Sequence, residues 1–532
     1  MEDGEDTVET LRPTLTKQTD PDAKEKGTSP VARLTLFLLW RKEEGKSIYY
    51  RGETIASEAG KVGQCGNQIG STFWPLALHE YGIQTTNTGM NLLKTQRNRI
   101  KNMNDLSAAF DSFFTIPDNL QNSCFKSITD LKDAKVKARA ILIDMEDSVV
   151  AGLRRGPICD LFDQTCVVTN YPGSANNWYQ AVGYYTHGTE YYEKLEDTIR
   201  RMVEKCSKLH GFLIMHSLGG GTGSGLGTAV LKLLANNYPT IDRLVSCIYP
   251  IVVQDVVTAP YNMLLATREL IEYATCVFPI ENESLLDICN AELRKRENMD
   301  QINYNISCKP FQDMNSIVAN MLLHLTSGSR FPGNLNMDMN EIATNLIAYP
   351  KLHYIFSSFS PLALSAPTMC SMQGTKLLDD LFTNAWSRKN QLIKVDPLQS
   401  GSTILSAAHI TRGNCSVNDL KRNIERFRKK VSFTGWSSEA MKVGLCSVPP
   451  AGHSTSLLCL LNSSAMTSLF ENIIKQFSRL YKRKAHVYHY TQVRGFEETH
   501  FMDSKEIISN LIMQYAELQN ENEKSIPRLQ IV

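Results

Sequence analysis

Residues 219–225 read GGGTGSG, and a run of that kind leaves little freedom in what must flank it. Before it, FLIMHSL at 212–218 is apolar and of strand length. After it, residues 226–237 place Ala229, Val230, Leu233 and Leu234 at helical spacing. The pattern predicts a strand, a glycine-rich connection and a helix. Glycines permit positive φ and let an anion approach the backbone, while the amides and dipole at a helix start favour phosphate. Thr222 and Ser224 add hydroxyl donors. No Lys follows in the GK[ST] register of a Walker A loop, and GxGxxG spacing with an acidic ribose partner fits poorly. A flexible linker, the competing reading, would lack both the strand and the amphipathic helix. Ser217, Gly219, Gly220, Gly221, Thr222, Gly223, Ser224 and Gly225 are therefore candidate ligand contacts.

The chain of 532 residues has room for several domains or one large layered unit. A net charge of +1 gives no overall field to draw in nucleic acid or an anionic membrane, so neither is expected as a partner. The 13 cysteines, odd in number and without a CxxC pair, suit a reducing compartment in which they pack as small apolar residues. The apolar run at 34–40 is too short to span a bilayer. The expectation is a cytosolic protein.

Residues 1–30 have the polar, charged composition of a disordered segment, and 34–40 suits either a strand or a helical turn. At 62–70 the text changes to VGQCGNQIG, three glycines and two Gln amides leading into Phe73, Trp74, Leu76 and Leu78. That again describes a loop over phosphates at the start of a helix, with Gln64 and Gln68 able to reach polar ligand atoms. The two loops together resemble the tubulin superfamily, in which a GQCGNQ loop and a GGGTGSG loop face one guanine nucleotide. The resemblance extends nearly to the C-terminus. It implies GTP or GDP as the ligand and adds Gln64, Cys65 and Gln68 to the contacts.

AILI at 140–143 reads as a buried strand ending at Asp144, Met145 and Glu146. Carboxylates at a strand end beside phosphates can hold Mg2+ or its waters, and the family has an acidic pair there. The resemblance thus makes Asp144 and Glu146 the magnesium candidates, the alternative being solvated charges. GSANNW at 173–178 resembles the third phosphate loop, with Asn176 the matching amide. DVVTAPYN at 255–262 resembles the ribose-side loop and offers Asp255, although Ala259 stands where most tubulins carry an acid. Asn282, in IENESL, and Phe311 and Asn315, in FQDMN, match the family's base-recognition positions. Two amides and an aromatic plane suit a purine, which presents hydrogen-bonding edges and a π face. The extra polar sequence at 291–309 reads as a surface insertion.

From Ile317 an apolar helix carrying Val318, Met321, Leu322 and Leu325 leads to RFPGNLNMDMNE at 330–341. In the tubulin family this loop and the next helix face the neighbouring subunit's nucleotide, and the alpha type carries there a Glu that activates the attacking water. Here that residue is Glu341, with Asp338 in the other acidic position. The resemblance implies that the chain completes a partner's active site; by composition alone Glu341 is an ordinary exposed helix residue.

Residues 346–460 alternate strand-like runs with helices such as 376–386. The basic run at 420–430 reads as a solvated helix face, with an acidic partner as the alternative. His486 and His489 fall on opposite faces if HVYHY is a strand, which argues against a metal site. Ser468, Leu469, Phe470 and Glu471 have capping-box spacing before an apolar face at Ile473, Ile474, Phe477, Leu480 and Tyr481. A second helix runs through Ile507, Ile508, Leu511, Ile512, Tyr515 and Leu518. Both resemble the long surface helices on which tubulins bind motors and other partners, and the chain then ends in PRLQIV where alpha and beta tubulins have a Glu-rich tail.

The predicted fold class is α/β: a Rossmann-like parallel-sheet GTP-binding domain at 61–281, a central helix and mixed α/β intermediate domain at 282–460, and C-terminal helices at 461–532, preceded by a divergent head at 1–60. Residues 54–61, TIASEAGK, occupy the place of the family's first strand and make a poor central strand. Pro75 is expected to kink the helix after the first loop. Glu341, Lys309-Pro310-Phe311, CSVPP at 446–450 and the Pro-Arg-Leu ending resemble a class of the family that belongs to centrioles and basal bodies and supports doublet and triplet microtubules. That implies other tubulins and centriolar proteins as partners. A free-standing GTPase and a scaffold that has kept the fold and lost the nucleotide are the alternatives.

Overall fold

The computed structural model describes residues 35–40, 57–62, 64–83, 110, 112–117, 125–145, 148–169, 177–178, 189–206, 209–251, 256–299, 310–331, 335–362, 375–435, 437, 441–493 and 495–521. Seven strands form the first sheet: β1 (Thr35–Trp40), β2 (Ser57–Val62), β3 (Ala140–Ile143), β4 (Val167–Val168), β5 (Gly211–Ser217), β6 (Asp242–Tyr249) and β7 (Cys276–Glu281). β4 and β3 run parallel, as do β5, β6 and β7. The expected parallel sheet is present, with β1 as its one antiparallel strand among the described residues.

β2 lies between β3 and β5 and is parallel to each, with Lys61 opposite Leu142 and Ala59 opposite Leu213. β1 runs antiparallel to β2, with Thr35 opposite Val62 and Trp40 opposite Ser57. Of the two conformations open to 34–40, the chain takes the strand. SEAGKV, polar for a sheet interior, is the strand whose C-terminal end feeds the first helix.

That helix is α1 (Gln64–Glu80), which runs on through Pro75. Further helices of this domain include α2 (Ser148–Arg155), α3 (Thr189–Glu204), α4 (Gly227–Asn237) and α5 (Ala259–Tyr273). Strand alternation divides the core between the two faces of the sheet. Ile141, Ile143, Phe212 and Ile214 pack on one side with α3, α4 and α5; Ala140, Leu142, Leu213 and Met215 pack on the other with α1 and α2.

The chain continues through α6 (Asn282–Met299), which carries the first part of the expected 291–309 insertion, and α7 (Pro310–Leu325), the predicted central helix. Ile317, Val318, Met321, Leu322 and Leu325 of α7 are all buried, because α7 lies against α1 on one side and the second sheet on the other. A short turn at Ser327–Arg330 leads to α8 (Met339–Leu346). Gly328 is required there by close approach: a Cβ on it would lie 2.0 Å from the Met337 carbonyl oxygen.

The second sheet holds β8 (Phe356–Ser360), β9 (Ile404–Gly413), β10 (Lys442–Cys446) and β11 (Thr455–Ser463) in the order β8-β11-β9-β10, with α9 (Thr375–Ala385) and α10 (Val417–Arg428) packed on it. The basic α10 is partly committed within the chain. Arg422 reaches Asp379 at 2.9 Å, and Arg426 lies over the Trp386 ring at 5.1 Å.

One buried cluster ties the parts together. Glu80, at the end of α1, takes Arg330 on Oε2 at 2.6 Å and Arg412 of β9 on Oε1 at 2.8 Å, with all three side chains at most 1% exposed. Burial alone would raise the Glu80 pKa, but Arg412 and Arg330 outweigh it and hold the carboxyl below its ordinary value. Arg330 also lies over the Phe331 ring at 4.9 Å, so its desolvated cation is met by π density as well as by charge.

α11 (Thr467–Tyr481) and α12 (Thr499–Glu521) pack on each other and on α5. One local expectation fails here. The capping box at Ser468 does not form, because a 3-10 turn at Ser464–Met466, capped by Ser463, starts the helix earlier and leaves Ser468 inside it. HVYHY is not a strand; it enters a short helix at Tyr488–Thr491, with the rings of His486 and His489 stacked 5.7 Å apart. Among the described residues no helix is long and apolar enough to cross a membrane.

Candidate nucleotide site

The GGGTGSG segment leaves β5 at its carboxyl end and turns at once into helix. Residues Thr222–Leu226 form a π-helical turn continuous with α4, and Gly221 and Gly227 have right-handed helical φ and ψ. The expected positive-φ glycines are not found here; among the described residues the left-handed glycines are Gly82, Gly401, Gly413, Gly452 and Gly495. What these residues need is space. A Cβ on Gly219 would lie 3.0 Å from Pro250 Cγ, and the whole stretch 217–225 is buried. Single π turns inside helices recur at functional sites, and the first amides of a helical run have no acceptor within the helix, which makes such a start suited to phosphate.

Side chains hold this turn rigid. His216 Nδ1 lies 2.9 Å from the Gly223 carbonyl. Burial pushes the His216 pKa down to about 4, so the ring is neutral and must carry its proton on Nδ1 to donate. Ser224 Oγ donates to the Gly220 carbonyl, so its proton is used inside the turn rather than offered outward as expected. Thr228 donates to the Ser224 carbonyl at 2.7 Å and accepts from the Trp178 indole at 3.2 Å. Thr222 is buried at the first position of the π turn.

The other loops converge on the same sheet edge. β2 enters α1 there, and Asn67 of α1 donates to Asp144 Oδ2 at 3.4 Å, joining the GQCGNQ segment to the end of β3. Asp144 is 4% exposed. A carboxylate in that place is the oxygen donor a hard cation such as Mg2+ takes. Gln68 is half-buried on α1. Gln64 and Cys65 are placed as helix backbone only. Asn176, Asp255 and Glu146 lie outside the described residues. Asn282 begins α6, half-buried, and Phe311 and Asn315, also half-buried, stand four residues apart on one face of α7, which packs against α6.

Glu341 lies elsewhere. Asp338 caps α8 by accepting from the Glu341 amide at 2.8 Å and faces His210 at 3.6 Å, just before β5 begins. Asn340 donates at 2.5 Å to Asp242, the first residue of β6. Both contacts are at the amino ends of strands whose carboxyl ends carry the phosphate-type loops. β6 has 8 residues, so at about 3.3 Å per residue its ends are roughly 23 Å apart. Glu341 and the loops of the same chain cannot share one ligand.

Asn67, His216, Thr228 and Asn262 were not singled out by sequence reasoning. Asn67 and Asn262 lie inside recognised motifs, whereas the other two have no signal beyond their position next to the glycines.

A parallel α/β sheet with glycine-rich turns gathered at its carboxyl edge defines a nucleotide-binding protein. Comparison with known proteins narrows the class. Residues 60–290 match the Tubulin/FtsZ family GTPase domain and residues 350–475 match the tubulin C-terminal domain. The chain is 42% identical over 483 residues to the tubulin epsilon chain of Mus musculus, covering 88% of this chain and 96% of that one. It is 41% identical over 490 residues to the tubulin epsilon chain of Homo sapiens, covering 88% and 98%. The tubulin beta chain of Coprinopsis cinerea is 31% identical over 466 residues, covering 86% and 94%. The chain belongs to the tubulin family, and its GTPase domain implies a guanine nucleotide as ligand.

Proposed function

We propose that this chain is a GTP-binding cytoskeletal protein of the epsilon-tubulin kind, a component of centrioles or basal bodies that supports doublet or triplet microtubules. It acts by head-to-tail contact with other tubulins and engages centriolar proteins there. Ser217, residues 219–225, Gln64, Cys65, Gln68, Asn176 and Asp255 surround the phosphates and ribose; Asn282, Phe311 and Asn315 take the guanine; Asp144 and Glu146 hold Mg2+, which neutralises phosphate charge when bound. Glu341 positions or deprotonates water at a neighbour's nucleotide.

The observation that carries this reading is the placement of Glu341 and the phosphate-type turn at opposite ends of the same strands. A residue suited to activating water but held a sheet's length from its own site is useful only when a second subunit stacks on it. A free-standing GTPase would need both on one edge.

Ligand class is tested directly. Purified protein is expected to retain GTP or GDP in preference to ATP in equilibrium dialysis, and Thr222→Val, which removes only the hydroxyl, is expected to weaken binding by about 1 kcal/mol or somewhat more. Equal retention of guanine and adenine nucleotides would remove the base assignment, and retention of neither would leave a nucleotide-free scaffold.

A further inference from the structure

Asn262, on the first turn of α5, connects three separate parts of the chain. Its Nδ2 donates to the Gly219 carbonyl at 2.9 Å, and its Oδ1 accepts from the Trp178 backbone N–H at 3.0 Å and from the Tyr490 hydroxyl at 2.6 Å. Asn262 and Tyr490 are both 0% exposed. Gly219 opens the GGGTGSG turn, Trp178 closes the GSANNW run, and Tyr490 sits in the short helix between α11 and α12. Two further bonds fasten the same contact: Asn177 Nδ2 to the His489 carbonyl at 2.7 Å, and the Tyr261 hydroxyl to the Ala485 carbonyl at 2.6 Å. The Tyr490 ring packs edge-on against Tyr261 and Phe501.

A buried amide bonded in this way has one orientation. Rotating it would set Oδ1 against the Gly219 oxygen and NH2 against the Trp178 N–H. The Gly219 carbonyl and the Gly220 N–H belong to one trans peptide plane and point in opposite directions. Holding the carbonyl on Asn262 therefore aims the Gly220 amide away from it.

We propose that Asn262 and Tyr490 are a positioning pair that aims the Gly220 amide at the nucleotide phosphates, so that nucleotide occupancy and the order of residues 485–493 in the C-terminal layer are linked. Linkage of this kind is reciprocal: whatever steadies the 485–493 turn from outside tightens the nucleotide, and the nucleotide steadies the turn. The proposal rests on the phosphate-site reading of the turn given above.

The test uses the full chain and GDP. Tyr490→Phe deletes one hydroxyl and is expected to weaken GDP about three- to tenfold, the effect of one buried hydrogen bond. Ser358→Ala deletes a buried hydroxyl bond in the second sheet, to the Ala385 carbonyl at 2.7 Å, touches neither Asn262 nor the 485–493 turn, and is expected to leave GDP affinity within about twofold while lowering the melting temperature comparably. In hydrogen exchange, saturating GDP is expected to slow the amides of 485–493 in the wild-type chain and not in Tyr490→Phe. Equal GDP affinity for wild type and Tyr490→Phe overturns the pair. Unchanged exchange at 485–493 in the wild type overturns the linkage, and that measurement stands even if Tyr490→Phe does not fold. A wild-type chain that binds no GDP overturns the phosphate-site reading together with the proposal.

Discussion

Lys442 Nζ lies 3.1 Å from Glu341 Oε2, so the carboxylate proposed to act on a neighbour's nucleotide is matched to a cation of its own chain. Both side chains are more than a third exposed, and an ion pair of that kind is worth no more than ~1 kcal/mol. It orients Glu341 without locking it, and the approach of a polyphosphate would compete for the lysine. Glu341→Gln keeps the size and removes the basic oxygen. It is expected to slow single-turnover GTP hydrolysis in mixtures with a suitable tubulin partner by about a hundredfold or more, while the chain's own site, at the far edge of the sheet, keeps its affinity. Identical rates for both versions with every tubulin tested would reduce Glu341 to a surface carboxylate.

The Glu80 cluster predicts a large stability effect from one atom. Glu80→Gln leaves Arg330 and Arg412 buried at 0% exposure with no counter-charge. Removing one partner of a buried ionic group costs about 3–5 kcal/mol, so the melting temperature is expected to fall by several degrees or more. A control at exposed Glu425 is expected to change nothing measurable. A Glu80→Gln melting curve that overlays the wild type would show that the two guanidinium groups are satisfied by carbonyls alone.

Acid sensitivity should begin well above the carboxylate range. Burial pushes His216, His353 and His409 down to about 4 and His324 to about 3, whereas an unfolded histidine titrates near 6.5. As pH falls below about 6.5 the unfolded chain takes up protons that the folded chain refuses, so stability is complete above that value and is lost on the way down to about 4. Each such histidine gives a slope of up to ~1.4 kcal/mol per pH unit within that window. Glu269, Glu281 and Asp242, raised by burial, act in the opposite sense but are fewer and less buried. The melting temperature is expected to drop steadily between pH 6.5 and 4.5; a flat profile across that range would mean these rings are hydrated.

The parts of the fold legible in the sequence are those that local pattern determines. FLIMHSL is an apolar run of strand length and so reads as a strand, and the helical spacing of Val318, Leu322 and Leu325 reads as a buried helix; the structure divides the first between two cores. Glycine clusters mark both turns, although the property used at Gly219 is a missing Cβ rather than positive φ. Residues whose partners are far away in sequence were not legible. Asn262 meets Tyr490 across 228 positions and Arg412 meets Glu80 across 332, and nothing in PYN or ITRG announces either bond. The same holds for Ser468, where a capping pattern is present but the preceding 3-10 turn decides where the helix begins.

The separation of Glu341 from the phosphate-type turn also has an arithmetical consequence. A subunit that offers an activating carboxylate at one end and a nucleotide at the other cannot form a symmetric pair that completes both sites through the same face. On the proposed reading, stacked copies of this chain would point one way, and in such a row every nucleotide but the last would meet a carboxylate. Hydrolysis in a short stack would then count the junctions rather than the subunits: none for a monomer, one for a pair, and a single unspent nucleotide always left at the same end.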